Sequence, residues 1–182
     1  MKRYLLILGC RPKGRNTEQH DTFLGIGNSL SDLLPQIESF WPDGGKIHID
    51  SWRAVTAVNG YAINVFDKED APPTSAHKLF FLNLGGYKPA DMEEYHYKLL
   101  SVATDKATAI SAAKKTVFYL HTGFKGATSH IDDKYGVDVD DIYEIKDILP
   151  KHLKDKYVIN IQPAASLPED ELHIGYLKLS SL

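Results

Sequence analysis

Three short, dense apolar runs punctuate the chain: Tyr4–Leu8, Leu79–Leu84 and Tyr157–Ile161. Runs this short suit well-buried strands better than helices. After each comes a polar loop carrying proline (Pro12; Pro89; Pro163 and Pro168), and then a stretch that alternates. Glu18, His20, Leu24 and Ile26 share one parity, as do Glu94, His96, Leu100 and Val102, and Glu171, His173, Leu177 and Leu179. Side chains two apart on a strand point the same way, so each Glu-x-His pair is expected on the core-facing row, at the mouth of its strand.

A change of period follows. Leu33, Leu34 and Ile37, and again Ala109, Ile110 and Ala113, have the one-face spacing of a helix. Ser29 with Asp32, and Thr104 or Asp105, are the expected N-terminal caps. Pro35 would cost about 3 kcal/mol in a helix interior, so it belongs in the first turn. Downstream, Asn59-Gly60 between the strand-like runs 53–58 and 61–65 predicts a hairpin.

These patterns repeat. At an offset of 76, Leu6, Leu8, Gly9, Glu18, His20 and Leu24 fall on Leu82, Leu84, Gly85, Glu94, His96 and Leu100. At an offset of 82, His48, Ile49, Asp50, Val55, Tyr61 and Ile63 fall on His130, Ile131, Asp132, Val137, Tyr143 and Ile145, which implies six residues inserted within 120–129. At an offset of 77, Asn83, Glu94 and His96 fall on Asn160, Glu171 and His173. The expected fold is α+β: internally duplicated β-β-α-β-β units with antiparallel sheets, plus a truncated third hairpin at the C-terminus. Residues 1–66 form repeat unit one, 67–77 a linker with Pro72-Pro73, 78–155 repeat unit two, and 156–182 the partial third unit. A lone hairpin is marginal in water, so the last segment is expected to pack on the preceding sheet or on a second chain.

Composition narrows the function classes. Of 182 residues, 43% are hydrophobic and 25% charged, ordinary globular proportions. A net charge of −3 argues against a nucleic-acid binder, which needs a basic stripe. Cys10 is the single cysteine, which excludes an internal disulfide and fits the reducing cytoplasm. No apolar run approaches the roughly 18 residues of a membrane span. Lys2-Arg3 followed by Tyr4–Cys10 resembles a miniature signal, but its apolar stretch falls short of the usual length of about 7–15 residues, and it recurs inside the chain. It is read as a strand.

The segments GCRPKGRNTEQHD (9–21), KIHIDSW (46–52), LGGYKPADMEEYH (84–96) and SHIDDKYG (129–136) together resemble the bacterial family called domain of unknown function 1543. The resemblance covers residues 1–162 and implies a bacterial protein with a duplicated domain. It brings no established activity, so no catalytic residue is carried over from it.

Candidate chemistry rests on the repeated polar pairs. Glu-x-His and His-Ile-Asp together supply two imidazoles and two carboxylates per complete unit, a set able to hold a divalent metal: Glu94, His96, His130 and Asp132, with equivalents Glu18, His20, His48 and Asp50. No stretch has a recognised metal spacing such as H-E-x-x-H. The third copy keeps Glu171 and His173 without a His-Ile-Asp, which favours a structural polar network. Two loops suit anions. Arg11, Lys13 and Arg15 interleave with Gly9 and Gly14, with Lys88 in the corresponding loop of copy two, and the run 121–129 offers His121, Thr122, Lys125 and Ser129 among small residues. The latter lacks the ending of a phosphate-binding P-loop. Gly25-Ile26-Gly27 lacks the third glycine of a dinucleotide motif, the aspartates 132, 133, 138, 140 and 141 fail the EF-hand spacing, and Cys10 has no evident nucleophilic partner.

The expected function is therefore a non-enzymatic cytoplasmic binding or assembly module for a small anionic molecule or a protein partner. It would need no cofactor, nucleic acid or membrane, and would be free to form a homo-oligomer. The alternative is a metal-dependent hydrolase that uses the Glu-x-His and His-Ile-Asp residues.

Overall fold

The structure, a computed structural model, describes residues 1–87, 90, 92–116, 137–164 and 166–182. It is α+β with antiparallel sheets, and the chain divides into two compact units: Met1–Thr74 with Leu149–Leu182, and Ser75–Ile148.

In unit one, the first apolar run becomes β1 (Lys2–Cys10), paired on one side with β2 (Gln19–Gly27) and on the other with β3 (His48–Val55). Helix α1 (Leu34–Phe40) begins with Pro35 in its first turn, where the missing N–H costs nothing. Asp32 accepts from the backbone N–H groups of Asn28 (2.8 Å) and Ser29 (3.3 Å), and these bonds hold its carboxyl below the usual range. Leu33 and Ile37 reach a core of Tyr4, Leu6, Leu8, Phe23 and Ile49.

Cross-strand partners share a face, so Leu6 with Phe23 lies on this helix-covered side, while Gly9 with His20 and Leu5 with Leu24 lie on the other. The row that carries Glu18 and His20 does continue into the buried Leu24 and Ile26, but it is not the row under the helix. On the same side Arg3 is fully buried with no hydrogen-bond partner, and burial pulls its guanidinium down to about 9.

A second sheet of unit one joins β4 (Ala57–Val58), β5 (Tyr61–Asp67) and β9 (Tyr157–Pro163). Asn59 and Gly60 turn the β4–β5 hairpin with φ of 51° and 79°, the positive pair that a two-residue primed turn requires. The C-terminal segment does not form the expected hairpin. Its first strand, β9, pairs with β5, and its second, β10 (His173–Lys178), pairs with β3. Each therefore closes a different open edge, a better use of the backbone than mutual pairing in solvent.

Unit two repeats the opening arrangement: β6 (Lys78–Tyr87) lies between β7 (Glu94–Ala103) and β8 (Val137–Glu144). Asp105 caps helix α2 (Lys106–Ala113) by accepting from Thr108 N–H at 2.8 Å. Ala109 and Ala113 pack on Phe80, Leu82 and Leu84.

The offset of 82 expected for the second half of this unit does not describe its strand pairing. His48 faces Gly9, whereas Gly85 faces Asp138, a separation of 90 residues between equivalent positions. Tyr143 thus stands where Arg53 does rather than at Tyr61, since Phe81 pairs with Tyr143 as Leu5 pairs with Arg53. After β8 the chain enters a helical turn, Ile145–Ile148, so among the described residues unit two has no counterpart of the β4–β5 hairpin. No helix among the described residues is long and apolar enough to cross a membrane.

Candidate functional site

The site of unit one is built around a missing side chain. Gly9 on the central strand β1 pairs with His20 on β2 and with His48 on β3, so the two imidazoles flank it on one face of the sheet. A Cβ on Gly9 would sit 2.5 Å from His48 Nε2 and 2.9 Å from Asp50 Oδ2, closer than atoms can approach. The glycine is a notch into which neighbouring side chains lean. Between Leu8/Ile49 and Ile7/Ser51 the register slips by one residue, and the extra residue is Asp50. Such a bulge re-aims a side chain, here into the notch. Glu18, just before β2, closes the remaining side.

The contacts alternate base and acid. His48 Nε2 lies 3.1 Å from Asp50 Oδ1 and 3.3 Å from Glu18 Oε1, and His20 Nε2 lies 3.2 Å from Asp50 Oδ2 and 3.8 Å from Glu18 Oε2. One of these contacts is not a hydrogen bond. Asp50 Oδ2 is buried and has no hydrogen-bond partner although His20 Nε2 is within 3.2 Å. A hydrogen bond needs its hydrogen aimed at the acceptor. The contact between His20 Nε2 and Asp50 Oδ2 is therefore close but not aligned as a hydrogen bond. Ligand atoms sharing a divalent ion at about 2.0–2.2 Å lie roughly 3.0–3.5 Å apart, the range in which three of these four contacts fall. The side chain of His48 is 6% exposed, Asp50 32%, Glu18 45% and His20 47%, so the cluster opens to solvent at its Glu18–His20 edge.

The C-terminal strand completes the inner wall. β10 also carries a register slip, between Ile174 and Leu177, with Gly175 at φ 138°. The slip leaves Tyr176 over the His48 ring, with centroids 4.3 Å apart. The third Glu-x-His, by contrast, does not reach the site. His173 pairs with Trp52 and stacks on its ring at 3.9 Å, and its nearest carboxylate is Glu171 at 3.7 Å. The third copy has Gln162 where the others have Gly9 and Gly85, so it offers no notch.

In unit two the same register sets Gly85 opposite His96 on β7 and Asp138 on β8, and the slip between Asn83 and Leu84 leaves Asp140 as the extra residue. His96 Nε2 lies 3.3 Å from Asp140 Oδ2, and one ligand atom each of Glu94, His96 and Asp140 falls within 4.8 Å of the others. A Cβ on Gly85 would collide with the Asp140 carboxylate. Tyr87 pairs with Glu94, and burial together with the Glu94 and Asp140 carboxylates pushes its phenol above the usual value.

Among the other sequence-derived candidates, Arg11, Lys13 and Arg15 lie exposed on the loop between β1 and β2. Lys88, His121, Thr122, Lys125, Ser129, His130 and Asp132 lie outside the described residues. The place in β8 expected for His130 and Asp132 is filled by Asp138 and Asp140. Gly25 and Gly27 serve packing: a Cβ on either would press on Leu33. Cys10 is buried and free, and burial with Asp43 and Glu18 pushes its thiol up, away from nucleophile chemistry. Sequence reasoning set Asp140 aside with the aspartates that fail the EF-hand spacing, and missed Tyr176. The first had a signal, since Asp138-Val139-Asp140 mimics the form of His48-Ile49-Asp50. The second had none.

The family model described as Domain of Unknown Function (DUF1543) matches residues 15–65, a span that holds all four residues of the unit-one cluster. The crystal structure of protein Il1583 from Idiomarina loihiensis is similar to this chain with a TM-score of 0.66 and 20% identity, covering 98% of this chain and 97% of that one. At that identity the likeness carries the fold alone. No curated protein matches the chain.

Proposed function

We propose that the chain is a non-enzymatic binding module that holds a divalent cation at Glu18, His20, His48 and Asp50. The observation that carries this reading is the buried Asp50 Oδ2, which lacks a hydrogen bond beside an imidazole nitrogen 3.2 Å away. A buried acceptor left unpaired costs about 1–3 kcal/mol, a cost that a shared cation removes. Two imidazoles with two carboxylates suit zinc and neighbouring borderline ions. The ion's open side would face Glu18 and His20, and the exposed Arg11, Lys13 and Arg15 on the adjoining loop would draw a small anion there. The buried free Cys10 suits a reducing compartment such as the cytoplasm.

Metal analysis of protein purified without chelator, with melting before and after chelator, tests this. Binding at a hundred times the dissociation constant adds about 2.7 kcal/mol, which for a chain of this size is roughly 5–10 °C in melting temperature. We expect a stoichiometric first-row divalent ion, lost with that drop, and neither ion nor shift in His48→Ala. Protein that binds no zinc on titration and melts alike with and without chelator would leave the four side chains as a structural polar network.

A further inference from the structure

We infer that Glu94, His96 and Asp140 form a second divalent-cation site in unit two, with an oxygen-rich donor set that shifts its preference from zinc towards manganese. The inference goes beyond the centre proposed for unit one and does not depend on it.

Three observations on unit two converge. The donors are close: one atom from each residue lies within 4.8 Å of the others, with His96 Nε2 and Asp140 Oδ2 at 3.3 Å. The backbone makes room for them, because Gly85 stands where any side chain would strike the Asp140 carboxylate. A register slip in β8 supplies Asp140 as the residue outside the ladder, so the sheet gives up one regular pairing at this spot. Glycine notch and bulge are both costs to a strand, and here they fall together at the acidic–imidazole cluster.

The donor chemistry separates this site from its counterpart. Where unit one has the imidazole of His48 opposite its glycine, unit two has an aspartate, Asp138, at the matching register position. One imidazole with carboxylates is a harder set than two imidazoles with carboxylates. Hard oxygen donors suit manganese, magnesium and calcium, while imidazole favours zinc, copper and nickel. Any such site binds zinc more tightly than manganese in absolute terms, so the difference appears as a ratio: manganese loses less against zinc in unit two than in unit one. The side chains of His96 and Asp140 are 39% and 30% exposed, which leaves an approach for the hydrated ion.

The test uses the full chain, stripped of metal, given one equivalent of zinc and then titrated with Mn²⁺, the free ion followed by its electron paramagnetic resonance signal. We expect one manganese bound per zinc-loaded chain. Glu94→Gln and Asp140→Asn should each weaken manganese at least about tenfold, since disturbing even outer-shell partners costs that much, and should leave the zinc equivalent in place. Metal-free His48→Ala, titrated without the zinc step, should still bind one manganese. The two carboxamide substitutions conserve shape, and Glu94 sits at the strand's start, so circular dichroism should report an unchanged fold for that variant. Manganese binding unaltered in both variants would overturn the inference, as would metal-free protein that binds no manganese. Wild type that takes up a single equivalent of either ion, lost in Asp140→Asn and kept in His48→Ala, would retire the unit-one proposal and leave this one standing.

Discussion

Gly9 and Gly85 carry more of this protein's chemistry than their lack of a side chain suggests. Each occupies the centre of three strands at the point where flanking side chains lean inward, and each would clash with those side chains if it bore a Cβ. At Gly9 the first atoms struck are the ring tip of His48 and the carboxylate tip of Asp50, side-chain ends rather than backbone. Gly9→Ala should therefore fold, and in chelator it should melt within about 1 kcal/mol of the wild type, alanine costing a strand less than glycine. What it should lose is the convergence of donors. We expect zinc affinity to fall at least about tenfold by calorimetric titration, comparable with the loss of a ligand's supporting partner. Undiminished zinc binding in Gly9→Ala would mean that the notch does not serve the cluster.

Among elements, β10 joins two roles. It covers the edge of β3, and through its register slip it sets Tyr176 against His48. Leu177, Leu179 and Leu182, in β10 and the residues after it, pack partly buried on the unit-one core. Removal of residues 173–182 should therefore cost about 3–5 kcal/mol from these side chains alone, at roughly 1.5–3 kcal/mol for each fully buried one, and would bare a strand edge. Urea titration of the truncated chain should show that loss, together with greater aggregation. A truncated chain with an unchanged midpoint would contradict the pairing of β10 with β3. Tyr176→Ala is the gentler probe: stability should change little, while zinc release in a chelator chase should quicken because the deepest ligand gains a path to solvent.

For the molecule as a whole, the two compact units have separate cores and separate clusters. Ligand binding stabilises only the structure that must open for the ligand to leave. One equivalent of zinc should thus slow amide hydrogen exchange across β1, β2 and β3 of unit one, and leave β6 and β7 of unit two unchanged. Protection that appears first in unit two would reverse the assignment of zinc between the clusters.

Much of this arrangement was legible along the chain. Apolar runs marked β1, β6 and β9, because a strand covered on both faces draws apolar residues at successive positions. Pro35, Asp105 and Asn59-Gly60 marked a first turn, a cap and a hairpin, because each acts through its own backbone. Glu18, His20, His48 and Asp50 were also readable as a set, since like segments recur at fixed spacing. Register lay beyond that reading. Residue identity at an offset of 82 matched His48 to His130, whereas strand pairing matched it to Asp138, because a ladder is set by which backbones meet and tolerates any loop length between them. The same holds for the last segment. Its sequence described a hairpin, and only the open edges of β5 and β3, brought near by the rest of the fold, decided that its two strands part company and that Tyr176 comes to rest on His48. Local sequence determined which residues form strands and which carry donors; the tertiary structure alone decided which donors meet, since that depends on contacts among residues distant in the chain.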